Sequence, residues 1–252
     1  MRRTLEICAG DYASAVAAKE GGADRIELCS GLGEGGLTPS MALIEQAVAI
    51  PDLNVHVLIR PRAGDFLYSD VECDIMVRDI ELAVAAGADG VVVGCLKGNG
   101  DVDRDMLVRF VDAAAGRSVT FHRAFDVCRN PLEEIKAVVD CGCNRLLTSG
   151  QAATAEQGIS LLRQLVEAGG ARIAIMAGCG VNPANARAIL DGSGVCELHA
   201  SARVRRSSLM RYRHGGVAMG KDGADEYAIE ETSVEIVRKL KDEMLRAGNQ
   251  HG

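Results

Sequence analysis

Gly21-Gly22-Ala23-Asp24-Arg25-Ile26-Glu27-Leu28-Cys29 holds a helix end, a turn and a strand in nine residues. Gly21 and Gly22 can take the positive φ that stops a helix. Asp24 then starts the next element, and the residues after it alternate. Ile26 and Leu28 fall on one face of a strand; Arg25, Glu27 and Cys29 fall on the other. A strand buried on both faces normally reads as an unbroken apolar run. Two charges and a thiol on one face of this strand must therefore meet something polar.

The same pattern recurs at Ala86-Gly87-Ala88-Asp89-Gly90-Val91-Val92-Val93 and at Cys141-Gly142-Cys143-Asn144-Arg145-Leu146-Leu147-Thr148. Each is a glycine, a small residue, Asp or Asn, then a strand. Working outward, alternation predicts strands over 4–8, 25–28, 54–60, 90–94, 118–123, 145–149, 172–177 and 195–199. Helices are expected between them, opened by Asp11, Thr38-Pro39, Asp70, Asp103, Asn130-Pro131, Thr154 and Asn182-Pro183. An eighth helix, over 233–247, follows an irregular stretch, 207–231. Eight βα units in one chain predict an α/β fold, a single-domain TIM (β/α)8 barrel over 1–252, with its working face at the strand C-termini. The 207–231 stretch carries Met210, Tyr212, Met219 and Tyr227, too apolar a set for a free loop. It is expected to pack over the barrel or on a second subunit.

The 252 residues are 48% hydrophobic with a net charge of −7, basic and acidic residues interleaved, which argues against a nucleic-acid surface. No apolar run reaches membrane-spanning length, so no membrane partner is expected. Met1-Arg2-Arg3 leads straight into a strand with no apolar leader region, and the nine cysteines are an odd set. A cytoplasmic protein with mostly free thiols is the expectation.

Placing the apolar strand faces outward leaves an unusually polar lumen: Glu6, Cys8, Arg25, Glu27, Cys29, His56, Arg60, Thr120, His122, Glu197 and His199. Arg25, Arg145 and Glu197 lie early in their strands and read as an ion-paired layer at the closed end. Glu27, Cys29, Arg60, His122, His199 and Ser201 lie at C-terminal strand ends, where a site is expected. Glu27 and His122 are candidate acid and base; Asp126 is a candidate orienting carboxylate, or merely caps its loop. Arg60 and Arg62 offer guanidinium forks to an anion, with Gly178 and Gly180 in the turn before Asn182, and Ser201 and Arg203 after the last strand. The glycines read almost as well as a plain tight turn. Of four arginines at the mouth (Arg60, Arg62, Arg123, Arg203), pairing within the protein can satisfy three. Cys8 and Cys29 have equal parity on neighbouring strands, so two thiols could bind a soft ion such as Cu(I); any single cysteine also reads as a small buried apolar residue.

Several stretches, in order over almost the whole chain, resemble one family. They are Leu5-Glu6-Ile7-Cys8, Ala23 to Cys29, Glu34-Gly35-Gly36-Leu37-Thr38-Pro39-Ser40, Ile59-Arg60-Pro61-Arg62, Gly64-Asp65-Phe66, Tyr68-Ser69-Asp70, Thr120-Phe121-His122-Arg123-Ala124-Phe125-Asp126, Leu147-Thr148-Ser149-Gly150 and Met176-Ala177-Gly178. The chain is similar to the bacterial CutC family. That resemblance implies a cytoplasmic TIM barrel named for copper homeostasis, a homo-oligomer with a dimer favoured, and Cu(I) as the ion at Cys8 and Cys29. It implies no reaction. The residues alone leave two other readings open: an enzyme acting on a small anionic or phosphorylated molecule, and a scaffold acting through its surface.

Overall fold

Eight parallel strands close into a barrel in the computed structural model, which describes residues 3–217 and 225–248. The strands are β1 (Thr4–Ala9), β2 (Arg25–Leu28), β3 (Asn54–Leu58), β4 (Gly90–Val93), β5 (Ser118–Phe121), β6 (Arg145–Thr148), β7 (Ala174–Gly178) and β8 (Glu197–Ala200). Each pairs with the next, and β8 returns to β1 with Glu6 opposite His199. The helices α1 (Tyr12–Gly21), α2 (Met41–Val48), α3 (Asp70–Ala85), α4 (Arg104–Ala113), α5 (Pro131–Asp140), α6 (Ile159–Gly169) and α7 (Ala186–Ser193) alternate with them. An antiparallel ribbon, β9 (Arg203–Ser207) with β10 (Ala228–Thr232), precedes α8 (Val234–Gly248). This is the expected TIM barrel.

The recurring turn has a mechanical reason. Gly22, Gly87 and Gly142 all take positive φ, at 89°, 104° and 95°. The next residue's N–H then closes the preceding helix, as in Ala23 N–H to Ala18 O and Ala88 N–H to Ala83 O, both 3.0 Å. The Asp or Asn that follows reaches sideways. Asp24 Oδ2 accepts from Leu5 N–H at 2.8 Å, Asp89 Oδ2 from Val55 N–H at 2.9 Å, and Asn144 Oδ1 from Val119 N–H at 2.8 Å. Each carboxyl or amide thus pins the start of its own strand to the start of the one before. Gly21 serves differently from Gly22: it is helical, and a Cβ there would lie 2.5 Å from Val237 Cβ of α8. Its bareness lets the last helix dock on the first.

Outward strand residues such as Leu5, Ile7, Ile26, Leu28, Val55, Val57, Val91, Val93, Phe121, Leu146 and Leu198 are buried in the helix–sheet core. Each contributes about 1.5–3 kcal/mol by leaving water. The inward face is polar, as the alternation requires. Several expectations need correction; among them, α6 begins at Ile159 after Gly158, not at Thr154. Ser40, not Thr38, caps α2, because Thr38 Oγ1 accepts the Arg60 N–H at 2.9 Å instead. The seventh helix starts at Ala186 rather than at Asn182, whose side-chain oxygen accepts from Ala184 N–H to form a turn. The stretch 207–231 is not wholly irregular, since it holds the ends of a ribbon. Nor does its described part lie over the barrel: Leu209, Met210 and Tyr212 are exposed, and the ribbon reaches the barrel wall where Thr232 N–H meets Ser14 Oγ at 3.2 Å. Met219 falls outside the described residues.

Candidate functional site

At the C-terminal ends of the strands the lumen opens into a cavity of about 320 Å³. Beneath it, towards the closed end, lies a layer of charge. Arg25 pairs with Glu6 and, at 2.6 Å, with Glu197, which also accepts from Arg145 at 2.5 Å. This is the ion-paired closed end that strand position suggested. Above it, His199 Nδ1 lies 2.8 Å from Glu6 Oε1, and its Nε2 lies 3.7 Å from Glu27 Oε2. Burial alone would raise Glu6, but Arg25 and His199 outweigh it and hold that carboxyl well below the usual range. Burial would lower His199; Glu27, Cys8 and Glu6 together raise it well above its ordinary value, so it is an imidazolium. Burial also raises Glu27.

The two thiols meet beside this imidazole. Cys8 Sγ and Cys29 Sγ are 3.5 Å apart, both buried, against Leu58 and Val92. The contact with Cys29, then burial, pushes the Cys8 thiol well above its ordinary value, so it rests protonated. Cys8 Sγ, a Glu27 oxygen and a His199 nitrogen lie within 4.8 Å of one another. Cys8, Glu27 and His199 line the cavity; Cys29 sits behind Cys8.

Two further histidines exist in the lumen because strand β4 and its end supply glycine beside them. A Cβ on Gly90 would stand 2.7 Å from the His56 ring, and one on Gly94 only 2.3 Å from the His122 ring. Both imidazoles are held neutral, down to about 3, chiefly by burial. His122 Nδ1 accepts the Ala124 N–H at 3.0 Å, which places the proton on Nε2.

The remaining candidates separate. Arg60, Gly180, Ser201 and Arg203 line the cavity with Glu27 and His122. Gly178 lies within β7, paired opposite His199, and does not. Arg62 is turned away: it bonds Glu72 at 2.5 Å and Asp65 at 3.2 Å and stacks on Tyr68. Arg203 pairs with Glu230 of the ribbon, and Arg123 with Asp126, both at 2.7 Å. Three of the four mouth arginines are thus paired, though Glu6 and Glu27 serve none of them. Asp126 also accepts from Thr148 Oγ1 at 2.5 Å and Ser149 N–H at 3.0 Å, which fixes its loop to the end of β6 and leaves it outside the cavity. With α7 starting at Ala186, no helix begins at the Gly180 turn, and the Gly180 carbonyl is taken by the Asn182 and Asn185 amides. Two lining residues had no assigned part: His199, legible only as one of several inward groups, and Phe66, in a stretch without periodicity.

The model of the CutC family matches residues 3–204. The chain belongs to the CutC family. A "family protein CutC" of Chromobacterium violaceum is 49% identical over 247 residues, 98% of this chain and all of that one. The human "Copper homeostasis protein cutC homolog" is 45% identical over 240 residues, 94% of this chain and 87% of that one. The crystal structure of the putative copper homeostasis protein CutC from Streptococcus agalactiae superposes with a TM-score of 0.76 at 33% identity, covering 79% of this chain and 98% of that one. The CutC family is implicated in copper homeostasis. More distant barrels, such as thiamine phosphate pyrophosphorylase from Pyrococcus furiosus at 18% identity and a TM-score of 0.60, share the fold alone. No helix among the described residues of this CutC-family chain is long and apolar enough to cross a membrane.

Proposed function

We propose that this chain takes part in copper homeostasis by holding Cu(I) at the barrel mouth through Cys8 and Cys29, with His199 alongside. The observation that carries this reading is the 3.5 Å approach of two buried thiols, with Cys8 beside the His199 side chain. The donor set fits the ion. Soft thiolate sulfur selects Cu(I) over the harder divalent ions. The low-dielectric pocket of Leu58 and Val92 that keeps Cys8 protonated also favours replacing two thiol protons by one cation, since a bare dithiolate there would be costly. The nine free cysteines suit a reducing compartment, and we place the protein in the cytoplasm. It would work as a homodimer, with the exposed apolar residues of the ribbon as the contact. Anaerobic Cu(I) titration against a competing chelator tests the metal site. One ion per chain is expected, with affinity reduced roughly a hundredfold or more in the Cys8→Ser, Cys29→Ser double variant. Equal affinity in that variant would end the proposal.

A further inference from the structure

Among the residues lining the cavity, Arg60 and His122 each bury a donor that bonds nothing. Arg60 is 7% exposed. Its Nη1 donates to the carbonyls of Glu34 at 2.8 Å and Gly36 at 3.0 Å, and its Nη2 donates to Gly64 O at 2.9 Å. Its Nε–H has no partner, and the Tyr68 hydroxyl near this guanidinium is likewise buried and unbonded. All three acceptors are neutral carbonyls, and among the described residues no carboxylate forms an ion pair with this guanidinium. His122 is 5% exposed, and its Nδ1 is occupied by Ala124 N–H. The tautomer this requires puts a hydrogen on Nε2, which is also without a partner. Leaving a buried donor unsatisfied costs about 1–3 kcal/mol, and the Arg60 charge is near enough to His122 to help hold that imidazole neutral.

One ring packs against both. The Phe66 ring lies 5.2 Å from Arg60 Cζ and 5.1 Å, centroid to centroid, from the His122 ring. Phe66 is carried by the stretch between β3 and α3, which has neither helix nor strand, and it lines the cavity while only half-buried. The cavity lining also includes the apolar residues Leu32, Leu58, Leu147 and Val181.

We propose that the barrel mouth binds a small monocarboxylate with an apolar body, its two oxygens received by Arg60 Nε–H and His122 Nε2–H when the Phe66 ring swings aside. Two N–H donors and one charge match a carboxylate; a phosphate dianion would leave oxygens unmet. A cavity of about 320 Å³ is at the small end for organic ligands and suits an acid of modest size. The imidazole stays neutral over the working pH range, so it donates without adding a second charge. This site uses no thiol, and it stands whether or not the metal reading does.

The test is titration of the metal-free, reduced protein with butyrate, hexanoate and benzoate, followed by calorimetry and amide NMR shifts. Benzamide and inorganic phosphate are the controls. Saturable binding of at least one carboxylate is expected, with benzamide at least about tenfold weaker than benzoate. His122→Asn keeps an acceptor for Ala124 N–H but shortens the donor, and should weaken carboxylate binding about tenfold. Phe66→Ala removes the cover and should tighten it. The protein is metal-free throughout, so the outcome does not depend on the copper reading. No carboxylate saturating below about 10 mM, benzamide binding as well as benzoate, or phosphate binding in preference to all three acids would overturn the proposal. The benzoate and benzamide comparison needs no variant, so a misfolded His122→Asn would not rescue it.

Discussion

At the scale of single residues, His56 and His122 make a pH prediction. An imidazole in an unfolded chain titrates near 6.5, whereas burial holds both of these down to about 3. Their folded values are depressed, so the unfolded chain binds the extra protons, and stability falls as pH drops from 6.5 towards 3. Each group contributes at most about 1.4 kcal/mol per pH unit. Glu6, held low by Arg25 against the pull of burial, adds its own loss only below about 4.5. His199 is raised, so its contribution is complete below 6.5 and is lost only as pH rises through its folded value. Glu27, raised by burial, opposes the decline, but it is one group against two. Urea unfolding at pH 6.5, 5.5 and 4.5 should show a net fall, flatter in His122→Asn. A flat or rising profile in the wild type would contradict the assignment. The histidines' inward direction was legible from alternation along each strand. Their neutrality was not, because it depends on Gly90 and Gly94 of a neighbouring strand. Arg62 was misplaced for a related reason: one residue past a proline, parity no longer says which way a side chain turns, and Glu72 captured it.

At the scale of elements, the Gly–small–Asp/Asn turn was visible three times in the sequence, and it marks three strand starts correctly. What could not be read was the partner of the Asp or Asn, which lies on the preceding strand a whole helix away. The clamp makes a graded prediction. Asp89→Ala removes the acceptor of Val55 N–H and should cost about 1–3 kcal/mol, while Asp89→Asn keeps an oxygen there and should cost less than half as much. Asn144 already shows that an amide suffices. Chemical unfolding of both variants decides it; equal losses would mean the side-chain bond contributes nothing. Helix starts were less legible. Thr38-Pro39 and Asn182-Pro183 both look like caps, but in each pair the polar side chain serves a turn or a neighbouring strand, and the helix begins later. The ribbon escaped notice because β9 reads Arg-Val-Arg-Arg-Ser and β10 Ala-Ile-Glu-Glu-Thr, with one large apolar residue each and almost no core to face. Its cross-strand pairs are ionic instead, as in Arg206 with Glu231 at 2.8 Å.

For the whole molecule, eight repeated units were enough to specify a barrel, because strands alternating with helices leave few ways to cover both faces of a parallel sheet. Subunit number was not so constrained. The ribbon presents Val204 and Ile229 to solvent, and the loop after its first strand presents Leu209, Met210 and Tyr212. Sedimentation equilibrium should find a dimer, and Leu209→Ser with Tyr212→Ser should shift it to monomer without altering the barrel's far-ultraviolet spectrum. A monomeric wild type would refute the ribbon's proposed part.

The charged floor of the lumen bears on how such a chain is born. Glu6 and Arg25 leave the ribosome early, and Arg145 joins them much later. Until Glu197 emerges, two guanidinium groups share a single carboxylate in that layer. An incomplete barrel of six or seven strands therefore leaves that layer short of one carboxylate and exposes two unpaired edges, and it is a poor resting place. The last strand delivers the missing carboxylate and the closing pairs with β1 in one docking event. Closure joins residues almost two hundred positions apart, a loop whose entropy is met only at the end. Arrival of the eighth strand, rather than any local element, is thus what completes both the ion-paired layer and the sheet.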